Sequence, residues 1–168
     1  LIMQRALGFI DEHREDPFLA VIWFHAPHLP CVASKEDVEN YAAADPKLDG
    51  LHLNYYGCVT ALDRAVGKLR ARLRKLGVAK NTLVAFCSDN GPEGNQNAPG
   101  RQGDFKGRKR SLYEGGVRVP SLLEWPARIK PGTSSEVATC TVDYFPTILE
   151  LVGIEMPDDR PLDGISLV

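Results

Sequence analysis

At 168 residues the chain is long enough for one domain with a sizeable core. Hydrophobic content of 43%, charged content of 25% and a net charge of −2 are ordinary for a globular protein and give no ground for a nucleic-acid or anionic-membrane surface. No run approaches the ~18 apolar residues of a membrane span, and no signal peptide opens the chain.

Cys31, Cys58, Cys87 and Cys140 form no CxxC pair, so reduced core residues and disulfides both stay open. A start at Leu1 inside a helical pattern, without methionine, suggests a piece of a longer protein.

Residues 1–14 carry apolar side chains at Leu1, Ile2, Ala6, Leu7 and Ile10, which predicts a helix broken by Asp16-Pro17. Residues 18–24 form a continuous apolar run, the pattern of a buried strand. Two prolines make His25-Ala-Pro-His-Leu-Pro30 a loop. After a polar stretch, residues 53–76 read as a long amphipathic helix stopped by Gly77, with the basic segment 68–75 as its solvated face.

A second apolar strand, 83–87, runs into Asp89-Asn90 and a Gly-Pro turn. From 88 to about 118 follows a loop rich in Gly, Asn and Arg, of a length that is usually functional or disordered. Residues 119–125 give a third strand and 135–141 a short one. Residues 143–152 give a helix ended by Gly153, with an irregular tail from Ile154. Strands alternating with helices predict an α/β fold with a mainly parallel sheet flanked by helices.

Open α/β sheets bind ligands beyond the carboxyl ends of their strands. Asp89 and Asn90 would arrive there as hard oxygen donors suited to Ca²⁺ or Mg²⁺; the alternative is an Asx turn closing a strand. The loops 25–30, 88–94 and 106–118 would then gather His25, His28, the Asp-Asn pair, Lys106, Arg108, Lys109, Arg110 and Arg118. Imidazoles, a hard cation and lysines describe a site for an oxyanion ester. Taken singly, each histidine is as readily structural, the basic run reads as a solvated loop, and Glu114-Gly-Gly116 reads as a turn needing small residues.

Five segments together are more specific. They are Pro17-Phe-Leu with Phe24-His-Ala-Pro-His-Leu-Pro30, then Ala61-Leu-Asp-Arg-Ala-Val-Gly67, then Asn81-Thr-Leu-Val-Ala-Phe-Cys-Ser-Asp-Asn-Gly91. Lys109-Arg-Ser-Leu-Tyr-Glu-Gly-Gly-Val-Arg-Val-Pro120 and Val142-Asp-Tyr-Phe-Pro-Thr147 follow. In this order and spacing, over nearly the whole chain, they resemble the sulfatase family of the alkaline-phosphatase-like superfamily.

The resemblance implies a sulfuric-ester hydrolase in which Asp89 and Asn90 bind one catalytic cation, Ca²⁺ with Mg²⁺ as the alternative. It makes Lys109 the lysine that contacts sulfate and His28 a histidine on the sulfate or its bridging oxygen, with Lys106 standing in for Lys109 if the loop register slips. His25 and Arg118 would support substrate binding, although Glu114 and Arg118 look structural. The family nucleophile is a formylglycine made in a Cys/Ser-x-Pro/Ala-x-Arg motif, and this chain has none. Cys31-Val-Ala-Ser-Lys35 mimics part of it, but follows the His-Pro loop and ends in Lys.

Residues 1–168 are therefore expected to be the C-terminal half of a sulfatase catalytic domain, with the formylglycine upstream. Alone, such a chain should turn nothing over, bind the cation weakly, and expose a sheet edge open to self-association. Its substrate would be a sulfated small molecule or sulfated glycan, and its compartment periplasmic, secreted or lysosomal. The rival readings are a phosphonate or phosphate ester hydrolase of the same superfamily, and a non-catalytic truncated paralogue acting as a binding module.

Overall fold

The computed structural model describes residues 1–95, 97–156, 158 and 160–168. They form two compact units, Leu1–Pro131 and Gly132–Val168.

In the first unit, helix α1 (Ile2–Glu12) buries Met3 and Ile10, seven positions apart and so on one face. Ile10 is 1% exposed. This face packs on α3 (Gly50–Lys75), whose buried residues include Cys58 and Leu73, and Arg72 of α3 meets Asp11 at 3.5 Å. Helix α3 begins three residues before the apolar pattern does, because Asp49 Oδ1 accepts the His52 N–H at 2.9 Å and caps the first turn. Its last turn carries Arg72, Arg74 and Lys75, cations that suit the negative end of the helix dipole. Gly77 follows with φ 78°, as the stop signal predicted.

The polar stretch before α3 contains a helix that the apolar periodicity did not reveal, α2 (Lys35–Ala44). Ser34 Oγ accepts the Asp37 N–H at 3.1 Å and donates to Asp37 Oδ2 at 2.7 Å. The Asp37 carboxylate is then buried against the Arg64 guanidinium of α3. Close approach is required here: a Cβ at Gly57 would lie 2.4 Å from that of Ala33.

Strand β1 (Val84–Cys87) pairs antiparallel with β2 (Ser121–Glu124), from Val84 opposite Glu124 to Cys87 opposite Ser121. The mainly parallel sheet is thus not what the described residues form. The intervening chain doubles back through a one-turn helix, α4 (Glu114–Val117), where a simple turn was expected, and β2 enters beside β1 in the opposite sense. Nor is β2 buried: Leu122 and Leu123 are exposed.

Residues 18–24 form no helix and find no ladder partner among the described residues. Leu19, Val21 and Trp23 are exposed while Phe18, Ala20, Ile22 and Phe24 are partly covered, which is the two-residue period of a strand with one open face.

In the second unit a 3₁₀ turn (Thr141–Asp143) leads into α5 (Tyr144–Val152), closed by Gly153 at φ 67°. The short strand expected at 135–141 is absent, and residues 135–140 are exposed. The tail after α5 is irregular but tied back. Asp143 accepts the Cys140 N–H at 2.7 Å and the Ile165 N–H at 3.0 Å, and Thr147 Oγ1 accepts the Leu167 N–H at 3.1 Å. Those backbone donors hold the Asp143 carboxyl below its usual range. No helix among the described residues is long and apolar enough to cross a membrane.

Candidate active site

The loop between β1 and β2 is locked by glycines that no other residue could replace in place. Gly91 N–H donates to Gly116 O at 2.8 Å, and a Cβ at Gly91 would sit 1.9 Å from Gly115 O. Gly115 N–H donates to Lys106 O at 2.8 Å, and a Cβ there would lie 2.1 Å from Gly107 O. At Gly116 it would lie 2.1 Å from Ser111 O. The small residues of Glu114-Gly-Gly116 therefore let three backbone segments touch.

This lock carries Lys109. Its N–H donates to Pro92 O at 3.1 Å, and its Nζ lies 3.2 Å from His28 Nε2. An ammonium has no acceptor, so Lys109 must donate and Nε2 must accept. His28 Nδ1 lies 2.6 Å from Leu29 O, a carbonyl, so Nδ1 must donate. The two contacts converge on one neutral tautomer, protonated at Nδ1 with the Nε2 lone pair facing the lysine. Both X–Pro bonds of this histidine loop, Ala26–Pro27 and Leu29–Pro30, are cis.

Glu93 completes the group, its Oε2 being 3.5 Å from Lys109 Nζ and its Oε1 bonded to Arg110. The Arg110 guanidinium, then the Gly94 N–H, hold the Glu93 carboxyl at about 2. Arg108 is turned inward instead. It donates to Gln102 Oε1 at 2.6 Å, Glu93 O at 3.0 Å and Gly100 O at 3.1 Å. Neither Glu93 nor the inward turn of Arg108 was signalled by sequence, since both arise only when the loop closes on Pro92-Glu93.

Asp89 and Asn90 follow β1 after Ser88, with Asp89 exposed. Ser88 Oγ donates to Asn90 O at 3.1 Å and the Asn90 amide donates to Gly91 O at 3.0 Å, so the Asn90 amide nitrogen is engaged with backbone. A carboxylate and an amide oxygen suit a hard cation, but two donors are few against the ~6–8 oxygens Ca²⁺ takes. Among the described residues no group of three His, Cys, Asp or Glu could hold a metal.

The remaining predicted residues are placed as follows. His25 is exposed, with its ring 5.4 Å from that of His28. Lys106 Nζ stands 4.0 Å over the Tyr113 ring. Arg118 bonds Glu114 Oε1 at 3.0 Å and lies over Phe105. Cys31 donates its thiol to Pro27 O at 3.1 Å, and burial, then its neighbour Cys58, push that thiol up. A thiol so disposed supports the histidine loop from behind. All four cysteines are free. A groove of about 330 Å³ along α2 and α3, lined by Tyr41, Leu48, Tyr56 and their neighbours, contains none of these residues.

The sulfatase family model matches residues 1–154, and the chain belongs to the sulfatase family. It is 38% identical to rat steryl-sulfatase, over 99% of this chain and 28% of that protein. It is 36% identical to rat N-acetylgalactosamine-6-sulfatase, over 100% of this chain and 31% of that one. Among solved structures, Ps i-CgsB in complex with k-i-k-neocarrahexaose superposes with a TM-score of 0.88 at 32% identity, over 99% of this chain and 36% of that chain. A sulfatase from Pseudoalteromonas sp. superposes at 0.83 with 26% identity, over 97% of this chain and 32% of that chain. The chain therefore has the fold of the corresponding part of sulfatases, of the alkaline-phosphatase-like kind, and spans about a third or less of each relative's length.

Proposed function

We propose that this chain is the sulfate-gripping part of a sulfuric-ester hydrolase, with Lys109 and His28 in contact with the sulfate ester and Asp89 and Asn90 on the cation. The observation that carries this reading is the 3.2 Å contact between Lys109 Nζ and His28 Nε2. A fixed ammonium placed where negative charge sits on sulfate oxygens stabilises that charge without reorganisation. Beside it, Nε2 is the ring position that can take a proton once substrate draws the Lys109 ammonium from its lone pair, Nδ1 being committed to Leu29. It is therefore the atom suited to exchange a proton with the bridging oxygen.

Asp89 and Asn90 offer a carboxylate and an amide oxygen to Ca²⁺, with Mg²⁺ the alternative, and the remaining donors come from water or other residues. When bound, the cation would supply Lewis-acid polarisation of the sulfate. The nucleophile, a formylglycine, is not among these residues, so the chain on its own is inactive. His25, Lys106 and Arg118 are the further candidates for contact with the rest of the substrate. That substrate is a sulfated glycan or small sulfated molecule, which the relatives' names and the neighbour bound to k-i-k-neocarrahexaose support. The same reading sets the protein in the periplasm, the lysosome or outside the cell.

A panel of sulfate and phosphate monoesters, run on a protein carrying this chain with its nucleophile, tests the reading. Sulfate esters should be turned over, and K109A should lose roughly 10²–10³-fold, the usual cost of one charge-stabilising donor. Preference for phosphate esters would favour the other branch of the superfamily, and no turnover of either would favour the binding module.

A further inference from the structure

Glu93 belongs to no motif in the sequence, yet it is the one carboxylate within ion-pair reach of Lys109 among the described residues. Its two oxygens are divided, Oε2 toward Lys109 at 3.5 Å and Oε1 to Arg110. Arg110 reaches it from a left-handed backbone conformation, φ 73°, which side chains other than glycine and asparagine rarely adopt. Such a conformation persists where the surroundings over-determine it. The surroundings are explicit: Arg108 donates to Glu93 O, and Lys109 N–H donates to Pro92 O. Three consecutive cations are thus pinned to Pro92-Glu93 from both sides, and only the middle one is aimed at the histidine loop. A lysine on four rotatable bonds needs such a partner to keep one direction.

We propose that Glu93 is a positioning residue, dividing its carboxylate between Arg110 and Lys109 so that Lys109 Nζ is directed onto His28 Nε2. Its functional weight rests on the sulfatase reading above, but the geometry stands apart from it. Losing Glu93 would release Lys109 to neighbouring solvent and leave the His28 lone pair without its donor.

The test is the ¹⁵N signal of His28 Nε2 in the histidine-labelled chain, with K109A marking the signal of the undonated lone pair. E93Q should move the resonance most of the way from the wild-type position to that of K109A, with the backbone amide spectrum otherwise preserved. E93D, which keeps the charge on a shorter stem, should fall between them, and R110Q should shift it in the same direction by less. An Nε2 signal in E93Q coincident with wild type would overturn the proposal. So would a K109A signal that does not move, because the contact being positioned would then be absent. Should E93Q fail to fold, E93D and R110Q decide by the same comparison. Failure of ester turnover in the intact protein would sink the sulfatase reading and leave these shifts unchanged, so the two failures are told apart.

Discussion

Replacing Gly91 with alanine is the sharpest perturbation of the candidate site that leaves every proposed functional side chain in place. The new Cβ would stand 1.9 Å from Gly115 O and 3.0 Å from Gly116 Cα, both backbone atoms. Unstrained contact needs about 3.5 Å, so the two segments must part by roughly 1.5 Å. No flexible side chain can yield in their stead. Parting them stretches the 2.8 Å bond from Gly91 N–H to Gly116 O and pulls on the Pro92 carbonyl that seats Lys109.

Overpacking of this kind costs about 1–3 kcal/mol, more where backbone must move. At about 2–4 °C per kcal/mol for a chain of this size, the melting temperature should fall by roughly 2–12 °C. A displacement on the order of 1 Å at catalytic groups can cost ~10²-fold in rate, so activity in the intact protein should fall further than stability. Thermal denaturation and the His28 Nε2 signal would be read together. A G91A chain with unchanged melting and an unmoved His28 signal would show that the glycine interlock does not hold the site.

Three further outcomes are expected. Calorimetric titration of Ca²⁺ should give weak binding that a D89A/N90A double variant abolishes, since two oxygens make a partial site; identical isotherms would remove the pair from any metal site of this chain. The Glu93 carboxyl, held at about 2 against an ordinary 4.5, is depressed on folding. Its ionised form therefore contributes stability above about pH 4.5 that is lost as pH falls toward 2. Urea midpoints of wild type and E93Q should separate across that window and run parallel above it, and parallel curves throughout would contradict the ion pairs. Ile10→Ala, at a side chain 1% exposed, should cost about 2–5 kcal/mol by urea denaturation; a loss well under 1 kcal/mol would mean that α1 does not hold the helical core.

Much of the helical part was legible in residues. The apolar pattern that ends in Ile10 and the stops at Gly77 and Gly153 report local physics, and local physics survives into the fold, although the face buried beside Ile10 is that of Met3 rather than of Leu1 and Ile2. Helix α2 was legible in principle from Ser34-Lys-Glu-Asp37, a capping pattern, but its low apolar content hid it from periodicity. Strand pairing was not legible. A run such as 83–87 announces an apolar strand, but the direction of its partner is set by how the loop between them returns. Residues 18–24 announce a covered strand, while which segment covers it is a matter of long-range pairing. The candidate site was half legible: Lys109 and His28 were named from their motifs and come together at 3.2 Å, whereas Glu93 and the inward role of Arg108 depend on loop closure across residues with no periodic signal.

The order of residues after β1 explains how one short stretch serves two tasks. Asp89 and Asn90 present oxygens, Gly91 docks on α4, Pro92 O seats the Lys109 amide, and Glu93 takes the cations on either side. The Arg108 guanidinium is engaged by Gln102 and two carbonyls, which keeps it from competing for the anion proposed to meet Lys109. Lys106 is likewise withdrawn, over the Tyr113 ring. Lys109 reaches the histidine loop through its side-chain Nζ, while its backbone N–H is seated on Pro92 O, two positions after the proposed cation ligand Asn90. A cation bound at Asp89 and Asn90 would therefore press on the same turn that aims Lys109. On this argument K109A should weaken sulfate binding with little effect on Ca²⁺, whereas G91A, which disturbs the shared turn, should weaken both.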